Sequence, residues 1–167
     1  TAQVPSNDAC DLAMPISCDQ TISGTTLQAT FDGLPDCGTE ITSPGVWFVF
    51  QGTSGQVLVS TCETHSYDTK ISVFTGTCDD LICVGGNDDG TDCNYGSIYA
   101  FVAQDNVTYF ILVHGYEDQT GTFDLNLQCI TIPNDDCSGA IPIACNQTLS
   151  GSTVPATMDS VSACVTG

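Results

Sequence analysis

The sequence contains no arginine and a single lysine, Lys70, against twenty aspartates and glutamates, for a formal net charge of −19. Nucleic acid is excluded as a partner, because its phosphates would be repelled rather than neutralised. Anionic membrane surfaces are disfavoured on the same ground. No apolar run approaches the ~20 residues of a membrane-spanning helix, and no cationic, apolar leader opens the chain. Starting at Thr1, it reads as a processed product or an interior piece. Helical periodicity is nearly absent. Also missing are G-x-S-x-G, H-E-x-x-H and any glycine loop that would cradle a phosphate. The two histidines, His65 and His114, have no nucleophile motif beside them, and His114 reads as a strand-end residue. Twenty carboxylates always offer some pair for glycoside hydrolysis, but nothing singles one out. The expectation is a chain with no catalysis of its own.

What is present is repetition. Residues 6–40 return ungapped as residues 133–167 at a constant offset of 127, with 17 of 35 positions identical, all three cysteines among them. A chain that completes one unit and begins another reads as a slice of an array. The expected division is a complete repeat over residues 1–129, a short linker at 130–133, and the start of a second repeat over 134–167. A segment of 35 residues cannot bury a core alone. Either the polypeptide continues beyond Gly167, or this segment completes a sandwich in a neighbouring chain by strand donation.

Eleven cysteines in 167 residues point to an oxidising, extracytoplasmic setting. Eight fall in the first unit (Cys10, Cys18, Cys37, Cys62, Cys78, Cys83, Cys93, Cys129) and three in the second (Cys137, Cys145, Cys164). Connectivity is not fixed by spacing. The pairings expected here are 10–18, 37–62, 78–83 and 93–129, with Cys137 to Cys145 by repetition and Cys164 left over. The absence of any C-x2-C pair argues against zinc.

Short apolar runs separated by Gly, Asp, Asn and Thr clusters give the pattern of an all-β sandwich. Residues 45–52 are apolar on both faces and read as a central strand, hairpinned to 56–62 through the turn at 52–55. Further strands are expected at 70–74, 81–84, 97–103 and 108–114, the last two forming a second hairpin around 104–107. Along 121–129, Phe123, Leu125 and Leu127 alternate with Asp124, Asn126 and Gln128, one face dry and one wet. With 14–18 and 21–30, this makes eight or nine strands. Trp47 belongs to the apolar run and reads as core rather than as a sugar platform.

Self-repulsion on this scale strains a compact fold unless cations bind, and outside a cell Ca²⁺ is the natural candidate. Asp68, just before one strand, and Asn87, Asp88 and Asp89, closing the next, form the densest set of hard oxygen ligands. Asp92 and Asp8 are expected to join if their segments pack there. The competing role for the Asn-Asp-Asp-Gly loop is a turn satisfied by its own side chains. Two sequons, at Asn106 and Asn146, are candidate glycosylation sites, Asn106 in a turn. Lys70 is expected to pair with a neighbouring acid; an isopeptide crosslink is the less ordinary alternative.

Seven pieces in order carry a family resemblance: Asn7-Asp8-Ala9-Cys10, Pro44-Gly45-Val46-Trp47-Phe48, Ser60-Thr61-Cys62, residues 67–74 (YDTKISVF), Gly86-Asn87-Asp88-Asp89, residues 108–113 (TYFILV) and Gly121-Thr122-Phe123-Asp124-Leu125. Together they resemble the bacterial pre-peptidase C-terminal domain family, in its cysteine-rich form strung in tandem through large secreted proteins. The resemblance covers residues 6–129 and resumes at 133. It implies a jelly-roll-like antiparallel β-sandwich on the bacterial surface, without catalysis, in a family where some members bind Ca²⁺. The direct repeat departs from the hydrolase-appendage pattern.

The reading is a non-enzymatic, disulfide-stapled repeat of an extracellular fibre or long surface protein. Copies of itself in a linear array would be its partners, and extracellular polysaccharide a possible ligand. The alternative is a carbohydrate- or protein-binding module beside a secreted hydrolase.

Overall fold

A computed structural model describes residues 3–130 and 140–151. A short 3₁₀ turn (Cys10–Leu12) precedes nine strands: β1 (Met14–Pro15), β2 (Gln20–Thr25), β3 (Val46–Gln51), β4 (Gly55–Ser60), β5 (Thr69–Thr77), β6 (Asp80–Asn87), β7 (Ile98–Ala103), β8 (Thr108–Gly115) and β9 (Thr122–Ile130). They form a five-stranded sheet ordered β1-β3-β8-β5-β6 and a four-stranded sheet ordered β2-β9-β4-β7. All pairings are antiparallel except β1 with β3. The all-β sandwich expected from the apolar pattern is the observed architecture. No helix among the described residues is long and apolar enough to cross a membrane.

The core forms where inward faces meet. Phe48 and Phe50 on β3, Val57 and Val59 on β4, Ile111 and Val113 on β8, and Phe123, Leu125 and Leu127 on β9 are all buried between the sheets. The alternation read along β9 is therefore its real inside and outside. β3 is apolar on both faces for a different reason than centrality alone. Its outward Trp47 joins Phe74 and Leu112 in a second cluster, which the strandless segment 26–45 covers with Cys37 and Ile41. Trp47 is core, and its indole Nε1 donates to Asp32 Oδ1 at 3.0 Å. Burial and the nearby Asp8 charge raise the pKa of Asp32, against the lowering effect of that hydrogen bond.

Two expected hairpins are not hairpins. β3 lies in the five-stranded sheet and β4 in the other, so the turn at 52–55 crosses between layers; β7 and β8 are divided in the same way. A turn that joins two apolar strands looks alike whether it folds them side by side or face to face. Here Gly52 sits tight against the Gln104 and Val107 carbonyls, where a side chain would not fit.

The expected disulfide pairings are also corrected. The bonds are Cys10–Cys78, Cys18–Cys129, Cys37–Cys83 and Cys62–Cys93, spanning 68, 111, 46 and 31 positions. Neighbours in sequence point to different partners: Cys78 and Cys83 share the β5–β6 hairpin yet bond to Cys10 and Cys37. Cys18, ahead of β2, meets Cys129 near the end of β9 because these strands pair antiparallel, Gln20 opposite Leu127. Cys10 and Cys78 join the 3₁₀ turn to the β5–β6 turn, and Cys37 pins the covering segment to β6. Of the second-unit cysteines, Cys145 is exposed and bonded to none of the described cysteines. Cys137 and Cys164 lie outside the described residues.

An acidic cluster beside a tyrosine-walled cleft

β5 begins where β6 ends, with Ile71 opposite Asn87. That register brings Asp68, ahead of β5, to the loop that follows β6. Carboxylate oxygens of Asp68, Asp88 and Asp89 lie within 4.8 Å of one another. The loop is held in place by buried hydroxyls. Ser97 Oγ donates to the Thr69 carbonyl at 2.5 Å and also approaches the carbonyls of Asn87 and Asp88. Thr61 Oγ1 and Thr69 Oγ1 share a hydrogen bond of 2.6 Å, and the Ser97 amide donates to Thr61 Oγ1. The Cys62–Cys93 bond ties the far side of the loop to the end of β4.

The protein's single lysine lies at this cluster. Lys70 is 3% exposed, with Nζ 3.5 Å from Asp88 Oδ2, 3.2 Å from the Glu40 carbonyl and 5.0 Å from the centre of the Tyr116 ring. The expected ion pair is present. Three carboxylates and one ammonium still leave a local charge of −2. Asp68 shows the strain: burial first, then the charges of Asp88 and Asp89, raise its pKa above the ordinary carboxylate value. One oxygen on Asp68 and one on Asp88 are buried without a hydrogen-bond donor. Unpartnered buried carboxylate oxygens beside uncompensated charge fit a hard divalent cation.

The other expected ligands are not gathered there. Asp8 binds the Thr30 amide and hydroxyl at 2.6 and 2.8 Å, bracing the segment that follows β2. Asp92 is not part of the three-carboxylate group; it is exposed in the same loop, at φ 61°. Asn87 turns its amide group to the carbonyls of Asp89 and Ile98, which makes it a loop clamp. Asn106 is exposed in the β7–β8 turn and Asn146 is exposed among residues 140–151, so both sequons are accessible.

A cleft of about 510 Å³ adjoins the cluster through Asp68 and is lined by His65, Tyr67, Asn94, Tyr95, Tyr116 and Gln119 among others. Tyr95 and Tyr116 are exposed, while Tyr67 is buried, its phenol pKa raised by that burial. The cleft was missed in the sequence because its residues come from three separate connections: before β5, before β7 and after β8. A second hollow of about 560 Å³ lies between β2, β9 and the N-terminal segment, over Phe48 and Phe123.

No family model matches the sequence, and no curated protein matches it. Similar solved structures include the pre-peptidase C-terminal domain of a collagenase from Bacillus anthracis, at 14% identity and TM-score 0.46, covering 70% of this chain and 94% of that one. The periplasmic g-type lysozyme inhibitor PliG of Aeromonas hydrophila superposes at 12% identity and TM-score 0.43, covering 70% and 96%. PliG of Salmonella Typhimurium does so at 12% and 0.36, covering 70% and 97%.

His114, opposite Lys70 on β8, is fully buried, with Nε2 3.2 Å from Ser72 Oγ. Burial and then the Lys70 charge push its pKa down to about 3. A base with a depressed folded pKa contributes stability above its unfolded pKa of roughly 6.5, and that contribution is lost as pH falls toward 3. Between pH 6.5 and 5, His114 therefore accounts for about 2 kcal/mol of lost stability. Urea unfolding at the two pH values should show this loss in the native protein and a smaller one in His114→Gln.

Proposed function

We propose that this chain is a non-enzymatic structural repeat of an extracellular fibre or long surface protein, with copies following one another head to tail. The observation that carries the reading is the Cys18–Cys129 disulfide. It joins residue 18, between β1 and β2, to residue 129 near the end of the last strand, across 111 positions. Tension applied to the chain on either side passes from residue 18 to residue 129 through one covalent bridge. Residues 19–128 hang beside the load path rather than in it. A module wired in this way resists extension without relying on the strength of its hydrogen bonds. Its four disulfides also support the extracytoplasmic setting.

Pulling single molecules by residues outside the bridge tests the reading. The oxidised protein should lengthen little beyond its flanks. In Cys18→Ser/Cys129→Ser the shortest covalent route from Cys10 to position 129 runs through Cys78. It then contains 51 backbone steps where the native route contains eight. Unfolding of that variant should release about 150 Å of extra contour at ~3.5 Å per residue. An equal release from the oxidised native protein would sink the structural reading.

Within this proposal the acidic cluster takes Ca²⁺, held by Asp68, Asp88 and Asp89, which neutralises the residual charge and firms the loops at that end. Without the cation, Asp68→Asn relieves repulsion and should raise stability slightly, by a few tenths of a kcal/mol for partly solvated charges. In millimolar Ca²⁺ the order should reverse, because the native protein gains about 1 kcal/mol for a dissociation constant near 0.1 mM. Thermal melts in chelator and in Ca²⁺ measure the crossing. Equal melting temperatures of the native protein in both would remove Ca²⁺ from the account.

The cleft favours a second reading, a module that binds extracellular polysaccharide. Two exposed tyrosines flanked by Asp68, Asn94 and Gln119 offer the apolar faces and hydrogen-bonding edges that a sugar ring needs. Retardation in gels containing soluble polysaccharide, abolished by Tyr95→Ala, is the expected result; unchanged mobility across neutral and acidic glycans rejects it.

A further inference from the structure

Residues 140–151 repeat the arm formed by residues 13–24 in more than letters. In the first unit the Ser17 amide donates to the Gln20 side-chain oxygen at 2.9 Å, with Asp19 at φ 58° between them. In the second, the Ala144 amide donates to the Gln147 side-chain oxygen at 2.9 Å, with Asn146 at φ 66°. The turn before β2 is thus rebuilt at an offset of 127. Its apolar side chains meet different fates. Met14, Ile16 and Ile22 pack into the sandwich core, whereas their counterparts Ile141, Ile143 and Leu149 are 53%, 63% and 45% exposed. The arm has formed its turn without the sheets that bury it in the first unit.

The observed disulfides say what is missing. Cys10, Cys18 and Cys37 bond to Cys78, Cys129 and Cys83, so each is the leading half of a bridge whose trailing half comes from the strands of the same unit. Their counterparts are Cys137, Cys145 and Cys164. Pairing Cys137 with Cys145 contradicts the wiring of the first unit, where the corresponding two cysteines go to different partners. The first sandwich cannot receive the arm either, because Met14–Pro15 already occupies the edge of β3 and Gln20–Thr25 that of β9. A second copy of the chain has the same positions filled.

We infer that Cys145 is a disulfide site for a second sandwich body in the same polypeptide, bonding the residue there that corresponds to Cys129, while Ile141, Ile143 and Leu149 dock between its sheets. The inference rests on the repeat reading above and deepens it. The load path then continues from unit to unit: sixteen backbone steps from Cys129 to Cys145, one disulfide, and again. Each unit keeps the 110 residues between its bridged cysteines outside that path. Every new bridge takes two electrons and two protons from a pair of thiols and passes them to a disulfide oxidant, such as oxidised glutathione.

The test counts thiols. Alkylation of the denatured, unreduced 167-residue chain, followed by peptide mapping, should label Cys137, Cys145 and Cys164 and leave the four bridges of the first unit intact. A Cys137–Cys145 bond, with label on Cys164 alone, overturns the inference while leaving the pulling result of the first sandwich untouched. A covalent dimer joined through Cys145 overturns it as well. Extending the chain after Gly167 with a second copy of residues 41–130, and refolding with glutathione, should reduce the labelled thiols from three to none. Retention of the Cys145 thiol in an extended chain that melts as two sandwiches is the opposite result.

Discussion

The structure depends on covalent ties between segments that are remote in the chain. Every disulfide of the first unit spans at least 31 positions, and the longest spans 111. In a chain-entropy account a loop of that length removes about 4–5 kcal/mol of freedom from the unfolded state. Such ties matter more here than in a balanced sequence. Twenty carboxylates repel one another with a single ammonium to offset them, and segment 26–45 contributes no strand to either sheet. Cys37 and Cys10 tie the outer layer over Trp47, Phe74 and Leu112 to β6 and to the β5–β6 turn.

The placement of the one lysine follows from the same imbalance. A buried ammonium is costly unless it is paired and hydrogen-bonded. Lys70 meets that condition with Asp88, the Glu40 carbonyl and the face of Tyr116. Its charge adds to burial in keeping His114 neutral and offsets only part of the carboxylate repulsion. His114 stays neutral beside it, and Asp68, Asp88 and Asp89 remain undercompensated. An undercompensated carboxylate cluster therefore arises where the protein's only cationic side chain is already engaged, and the buried hydroxyls of Thr61, Thr69 and Ser97 hold the loop in place beside it.

Strand identity was legible in the sequence wherever burial has a period. β9 could be read residue by residue from Phe123 to Gln128, because one of its faces is dry. What joins what was not. The turns at 52–55 and 104–107 have the local chemistry of hairpins, yet they change sheets. The cysteines nearest in sequence do not bond to each other, and even Cys78 and Cys83 within one hairpin go to Cys10 and Cys37. Of the expected cation ligands, Asp68, Asp88 and Asp89 came together because β5 and β6 are true neighbours. Asp8 did not, since the N-terminal segment is claimed by Trp47 and Thr30: Asn7 exchanges two hydrogen bonds with the Trp47 backbone, and Asp8 braces residue 30. The Tyr95 and Tyr116 cleft had no linear signature at all.

The topology separates the longest disulfide from the cleft. β4 runs from Gly55, near the Cys18–Cys129 bridge, to Ser60, near the cleft; β9 runs back from Thr122, beside Ser66, to Cys129. The bridge and the cleft thus lie at opposite ends of the sandwich, about 20 Å apart for six residues of strand. The N-terminal segment covers the same length: Asn7 binds the Trp47 backbone at the start of β3, Met14–Pro15 runs parallel to β3, and Cys18 then meets Cys129. Under the proposed fibre reading, tension would run through residues 7–18 and the bridge, whereas the cleft is lined by His65, Tyr67, Asn94, Tyr95, Tyr116 and Gln119, so the two proposed roles would draw on different residues.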